Sequence, residues 1–398
     1  MKILLFMLIM IFPSIFNHVV CQQWKIEWEK QFECNSAILF RDVVEVLGKE
    51  FLILGAIDKK GDRESDLWLI RVGATGDTLW SRTYRNEGRD LPARITPVPG
   101  KGYILAGVNE KTDQSKSGFL IRVDRNGKEI WRKNQGASSG YSRSDVAADS
   151  TGFLWWLLNE SGPDSVPGIA LLKLKPGGEP EERFFFSEAT PLFGHVIRLL
   201  KDGSITICGK VVRDTTGCSD IWMTRLLQTG EIVWKTIIPL PKRISWPECI
   251  CCTPGENLLL TGWQGTCMNP DATPENRIYD FDMILIQIDQ EGKVVWKRDF
   301  NREGSEGGNA MAIQQNGKIL LAGKCSSSYS GTIGPWLVLA DESGKLIREE
   351  VSRFRFNGDE ASAIINTSDG GFLIIGPGRL NSNLKSSIGW IKKYAFLP

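Results

Sequence analysis

The chain has 398 residues, with 48 basic side chains, 47 acidic ones and two histidines. This near-neutral balance supplies no electrostatic footprint for nucleic acid or for an anionic membrane surface. Only one of the two, His195, lies beyond the first 21 residues, which excludes a multi-histidine metal site within one mature chain and argues against a Ser-His-Asp or Cys-His machine.

The chain opens on a targeting pattern. Met1-Lys2 precedes an almost unbroken apolar run, Ile3 to Phe16, and the sequence turns polar from Asn17 through Cys21-Gln22-Gln23. The run is short for a membrane span and lies at the extreme N-terminus, so residues 1–21 read as a cleaved secretory signal. Val19 and Cys21 occupy the small-residue positions, and Gln22 begins the mature chain. A lipid anchor on Cys21 is the competing reading; it ordinarily wants Gly, Ala or Ser before the cysteine, where Val20 stands. Removing residues 1–21 takes away one lysine and no acid, leaving 47 basic against 47 acidic residues and His195 as the last histidine. His195 falls in an expected inner strand, where a structural role is favoured. No second apolar span follows, so no transmembrane segment is expected. Residues 22–398 read as a single domain, secreted or held in the periplasm or cell envelope.

Next comes a strand, Trp24-Lys-Ile-Glu-Trp28-Glu-Lys-Gln-Phe32, followed by a repeat. One phrase is a short strand ending in glycine: Phe51–Gly55, Tyr103–Gly107, Ile205–Gly209, Leu258–Gly262, Ile319–Gly323 and Phe372–Gly376. Phe153–Leu157 is a copy without the glycine. From Gly55 to Gly376, six steps give a mean period of about 54 residues. A second phrase follows each first one. Asp66–Val72 leads to Gly76 and Trp80, Gly118–Asp124 to Gly127 and Trp131, Asp220–Leu226 to Gly230 and Trp234, and Asp282–Ile288 to Gly292 and Trp296. Trp336–Ala340 leads to Gly344 and Ile347, and Ile169–Leu174 to Gly177-Gly178 with no tryptophan. Each pair reads as strand, tight turn, strand. A third element with small residues precedes the glycine strand, as in Asn309–Ile313 and Glu360–Ile365, and suits an innermost strand.

Four strands per unit make a propeller blade, whose two apolar faces are buried only by its neighbours. The recurring tryptophan is expected to fill the wedge between blades at larger radius. The last unit stops after Ile388–Tyr394 without a fourth strand, while Trp24–Phe32 matches the fourth strand Thr78–Tyr84. The expected fold is all-β: a seven-bladed propeller of four-stranded blades, closed by the N-terminal strand completing blade seven. A solenoid with two capped ends is the alternative.

The phrases Gly370–Gly376, Asp66–Val72, Val123–Trp131 and Ile288–Trp296 resemble a repeat of secreted bacterial and archaeal β-propeller proteins and, more distantly, propeller repeats of the pyrroloquinoline-quinone (PQQ) type. The resemblance covers the mature chain and implies the fold; related propellers range from enzymes to scaffolds. It also brings to mind an adjacent-cysteine disulfide, Cys251-Cys252, beside a quinone. The residues favour another reading: Cys249 and Cys251 fall where other units carry Ala310 and Ala312, or Ala361 and Ala363, with Cys252 on the opposite face. No set of acidic and amide ligands for a quinone-bound calcium aligns with this sequence. The turns Asp124–Gly127, Asp289–Gly292 and Asp341–Gly344 lack the ligand density of a calcium loop. No cofactor is expected.

An acid recurs before the inner strand, at Asp42, Asp90, Asp145, Glu248 and Asp359, with Arg41, Arg89 and Arg143 close by. These acids are expected at one rim of the central channel, tying adjacent blades together; a polar ligand ring is the alternative. Their separations, and hence any glycosidase pairing, do not follow from sequence. The connection from Gly262 to Asp282 is about twenty residues long, and long loops in compact domains are often functional. Arg243, Trp246, Trp263, Arg277, Tyr279 and Arg355 share its face and supply the aromatic and guanidinium groups of recognition surfaces. Eight cysteines remain after the cut, six of them between Cys208 and Cys267, which argues against a disulfide framework for the whole fold. A Cys218–Cys267 disulfide is expected to brace the long-loop face. Asn159-Glu-Ser161 and Asn366-Thr-Ser368 fit the glycosylation triplet. These features point to a non-catalytic binding or scaffold propeller for a protein or glycan. The alternative is a secreted enzyme, a polysaccharide-active hydrolase or lyase or a quinone-dependent dehydrogenase, working at the channel mouth.

Overall fold

Alternating apolar residues and Gly-containing turns produce twenty-eight strands among the described residues of the computed structural model. It describes residues 23–397 except 35–36, 59–63, 138–142, 163, 214–216, 241–242, 267–280, 303, 327–332, 353–358 and 380–386. The chain enters through β1 (Trp24–Cys34). Blade one is β2 (Ala37–Val46), β3 (Glu50–Asp58), β4 (Asp66–Val72) and β5 (Thr78–Tyr84). Blade two is β6 (Arg89–Val98), β7 (Gly102–Glu110), β8 (Lys116–Val123) and β9 (Glu129–Ala137). Blade three is β10 (Ser144–Ala148), β11 (Leu154–Ser161), β12 (Pro167–Leu174) and β13 (Pro180–Phe186). Blade four is β14 (Leu192–Leu199), β15 (Ile205–Val212), β16 (Ser219–Leu226) and β17 (Ile232–Ile238). Blade five is β18 (Arg243–Cys252), β19 (Leu258–Thr266), β20 (Phe281–Ile288) and β21 (Val294–Phe300). Blade six is β22 (Glu306–Ile313), β23 (Ile319–Ser326), β24 (Ile333–Ala340) and β25 (Leu346–Val351). Blade seven is β26 (Ala363–Asn366), β27 (Phe372–Arg379) and β28 (Ser387–Phe396), completed by β1.

The closure is the one the sequence predicts. β1 pairs antiparallel with β28 from Trp24↔Phe396 to Cys34↔Ser387. The buried apolar side chains gather in seven clusters, one at each junction between adjacent blades. Burial between blades is therefore what holds the ring, since no single sheet covers its own faces.

At the rim, an aromatic residue on the outer strand of one blade covers a turn glycine of the next. Trp28 lies on Gly76, Trp80 on Gly127, Trp131 on Gly178, Trp234 on Gly292 and Trp296 on Gly344. Phe184 takes this place against Gly230, filling the position where blade three has no tryptophan. These turn glycines have positive φ, 74° at Gly127, so an L side chain there is both strained and crowded. In the same turns Asp124 Oδ1 accepts from the amides of Asn126 and Lys128, both at 2.8 Å. Asp289 and Asp341 do the same in theirs, so these carboxylates organise their own hairpins.

Five inner strands carry a bulge, at Phe40/Asp42, Pro92/Arg94, Gly194/Val196, Pro247/Cys249 and Gly308/Ala310. Each bulge presses the inner strand onto the glycine that ends the second strand. A Cβ at Gly209 would collide with the Phe193 carbonyl, which is why the glycine recurs. Two registers differ from the sequence reading. Leu154, not Phe153, pairs at the strand end equivalent to Phe51, so Leu158 holds the glycine position. It is tolerated because β10 begins only opposite Leu158, and Gly118 of blade two leaves room for its side chain. Cys249 shares its register with Ala310 and Ala363, and Ala361 lies two residues earlier.

Candidate functional site

The bulges fix which side chains meet in the channel. The bulged residue in successive blades is Arg41, Ala93, His195, Glu248 and Asn309, and the next residue is Asp42, Arg94, Val196, Cys249 and Ala310. Asp145 pairs with Leu157 as Asp42 pairs with Leu54, which puts both carboxylates at one level.

The upper tier closes a mouth cavity of about 230 Å³ on the long-loop face. Arg143 of the entry to blade three grips Glu248 of blade five through two hydrogen bonds, 2.7 and 2.6 Å. Arg41 of blade one reaches the same carboxylate at 3.3 Å. Burial pushes the Glu248 carboxyl up, but Arg143 and Arg41 outweigh it and hold the group at about 2. His195 sits beside this pair, buried, with Nδ1 donating to the Pro247 carbonyl at 3.0 Å. Burial, reinforced by Arg143, keeps its imidazole neutral well below the usual histidine range.

The lower tier faces a larger channel cavity of about 520 Å³. Arg94 Nε and Nη2 donate to the two oxygens of Asp145, at 2.8 and 3.2 Å, and Arg94 Nη1 lies 3.8 Å from Asp42. Arg198 approaches Asp145 at 3.5 Å. The two carboxylates diverge accordingly. For Asp42, burial wins and its carboxyl is raised; for Asp145, burial is overcome by Arg94 and Arg198 and its carboxyl is lowered. Both also stitch blades, since Asp42 accepts from the Ile95 amide at 2.9 Å and Asp145 from the Ile197 amide at 3.0 Å. Deeper in the wall, the Cys249 and Cys251 sulfurs lie 4.0 Å apart. The hydrogen bond from Cys251, helped by Arg198 and Arg94, draws the Cys249 thiol down to about 6.

Beside the mouth, Trp246 and Trp263 stack in parallel, 4.2 Å between centroids. Lys210 covers the other face of Trp246 with its ammonium 4.0 Å from the ring, and Phe281 meets Trp263 edge-on. Burial and the neighbouring Arg143 bring the Lys210 amine down to about 7.

The expected residues therefore separate. Asp42, Asp145 and Glu248 line the channel cavities, and Trp246 and Trp263 join in one stack. Asp90 is buried between blades one and two, accepting from the Leu67 amide and from Asn86 and Asn109. Asp359 is buried below Gly378 in blade seven. Arg243 is held by Asp282 at 2.6 Å. Arg277, Tyr279, Arg355, Cys267 and Cys21 lie outside the described residues. Cys218 is disulfide-bonded, while Cys208, Cys249, Cys251, Cys252 and Cys325 are free thiols. Asn159 is buried with its amide spent on both backbone groups of Gly194, which removes it as a glycan acceptor; Asn366 is exposed. Arg94, Arg198 and Lys210 escaped the sequence reading. Counting from the closing glycine would have placed Arg94 level with Asp42.

No family model and no curated protein matches the sequence. Solved structures do match in fold. A puromycin hydrolase is similar over 86% of this chain, with a TM-score of 0.50 and 16% identity, and this chain spans 50% of its length. A structure of BBS1N in complex with ARL6DN is similar over 93% of this chain and 96% of that one, with a TM-score of 0.50 and 14% identity. The likeness is one of fold alone. Among the described residues, no helix is long and apolar enough to cross a membrane.

Proposed function

We propose that this chain is a non-catalytic binding or scaffold propeller that engages a protein or glycan through its long-loop face. The supporting observation is the Trp246–Trp263 pair, partly exposed and backed by the buried Lys210, at the edge of a mouth whose arginines and carboxylates already neutralise one another. Tryptophan is among the residues that carry most binding energy at protein surfaces. A Cys218–Cys267 disulfide belongs to the same reading. It would link the connection before β16 to the one after β19 and hold the loops of blades four and five as a rigid rim. Export behind a cleaved signal, to an oxidising compartment, fits such a bond. The enzyme alternative draws on one observation, the neutral His195 beside Glu248 in the mouth cavity.

The test is a thermal-shift screen of residues 22–398 against a glycan panel and against calcium with PQQ. A ligand at a hundred times its Kd adds about 2.7 kcal/mol of stability. A glycan shift that vanishes in Trp263→Ala supports the reading. Stabilisation by calcium with PQQ, or turnover of any glycan, overturns it. If no small ligand shifts the melt, the protein-partner form predicts that surface crosslinking at the long-loop face captures a partner which Trp246→Ala and Trp263→Ala release; unchanged capture in both variants refutes that form.

A further inference from the structure

The channel wall holds a sulfur cluster that the partner reading does not use. Cys249 and Cys251 are alternate residues of β18, so both side chains leave the same face of the strand. Their sulfurs are 4.0 Å apart and both residues line the channel cavity. Cys251 also donates to the Met311 carbonyl at 3.5 Å, and the Met311 side chain packs in the same cluster at the junction of blades five and six. Cys252 points the other way, into the junction with blade four.

We propose that Cys249, Cys251 and Met311 form a site for a soft monovalent cation of the Cu(I) class. Two thiolates and a thioether are the soft donors that select such an ion. Metal–sulfur bonds of about 2.3 Å place two sulfurs on one ion at most about 4.6 Å apart, so the observed separation accepts an ion between them without moving the backbone. A disulfide fits the strand less well. Its sulfurs close to about 2.05 Å, and alternate strand residues, about 6.6 Å apart at Cα, sit at the far edge of the range disulfides tolerate. Charge also fits. Two thiolates around one monovalent cation carry a net single negative charge, and Arg94 and Arg198 stand in the same cavity wall. Binding displaces the remaining thiol protons to solvent and involves no electron transfer.

The reduced mature protein is titrated anaerobically with Cu(I) against a chromophoric Cu(I) chelator. The expected result is one Cu(I) retained per chain, an ultraviolet thiolate-to-copper band, and an X-ray absorption spectrum with two short sulfur ligands. Cys249→Ala with Cys251→Ala should abolish retention, while Cys252→Ala should leave it unchanged. The double variant is compatible with the fold, because blade six carries Ala310 and Ala312 in the same registers. Met311→Leu serves as a second variant and should lower affinity while keeping the thiolate band. Failure of the wild type to take copper from the chelator, or equal retention by the double alanine variant, overturns the site.

Discussion

Replacing Glu248 with glutamine removes the charge that two arginines share and keeps the shape. The Glu248 side chain is only 3% exposed, and Arg41 and Arg143 both pair with it, at 3.3 and 2.6 Å. A carboxyl moved from 4.5 to about 2 contributes about 3 kcal/mol of stability at neutral pH, at about 1.4 kcal/mol per tenfold change in acidity. Breaking a buried ion pair independently suggests a loss of about 3–5 kcal/mol. The sign follows from proton binding. Between pH 2 and 4.5 the folded state binds fewer protons here than the unfolded chain, so the contribution is full above 4.5 and is lost as the pH falls towards 2. Urea unfolding at low salt, at pH 7 and at pH 3, measures it. The wild type should exceed Glu248→Gln by about 3 kcal/mol at pH 7 and by about 1 kcal/mol at pH 3. A gap of equal size at both pH values would show that Glu248 acts through packing and not through its charge, and the electrostatic account of the mouth would be wrong.

Trp24→Ala should cost about 3–5 kcal/mol in urea unfolding. Trp24 is buried, meets Phe372 edge-on at 5.7 Å, lies under Arg348 and donates to Glu350 at 2.7 Å, so a loss under 1 kcal/mol would show that the seam at blade seven is not held by this ring. Lys210 should titrate near 7 when methylated lysines are followed by NMR. Its lowered pKa favours folding as the pH rises through 7 to 10.5; absence of any resonance titrating below 9 would remove the desolvated lysine from the site.

Much of the fold was legible because it is written in short-range chemistry. Closing glycines, Asp-x-x-Gly turns and rim tryptophans each mark a definite place in a blade, and Trp24–Phe32 could be matched to Thr78–Tyr84 residue by residue. The channel was less legible, because an inner-strand bulge shifts every side chain after it by one position. Asp42, Asp90, Asp145, Glu248 and Asp359 all look alike as acids ahead of a small-residue strand. In space Asp42 and Asp145 share a level, Glu248 sits one residue earlier, and Asp90 and Asp359 leave the channel altogether. The ion network was invisible for a further reason: Arg41 and Glu248 are 207 residues apart and meet only because the ring closes.

The pairing of β1 with β28 also orients the molecule. β1 runs from Trp24, beside Phe396, up to Cys34, beside Ser387, where it passes to blade one. The amide of Leu397 donates to the carbonyl of Gln23, so both flanks of the seam emerge together among the short hairpin turns. That side is opposite the face carrying Trp246 and Trp263. A tether attached at either flank, natural or engineered, would therefore hold the propeller by its back and present the long-loop face outward, like a dish on a stalk.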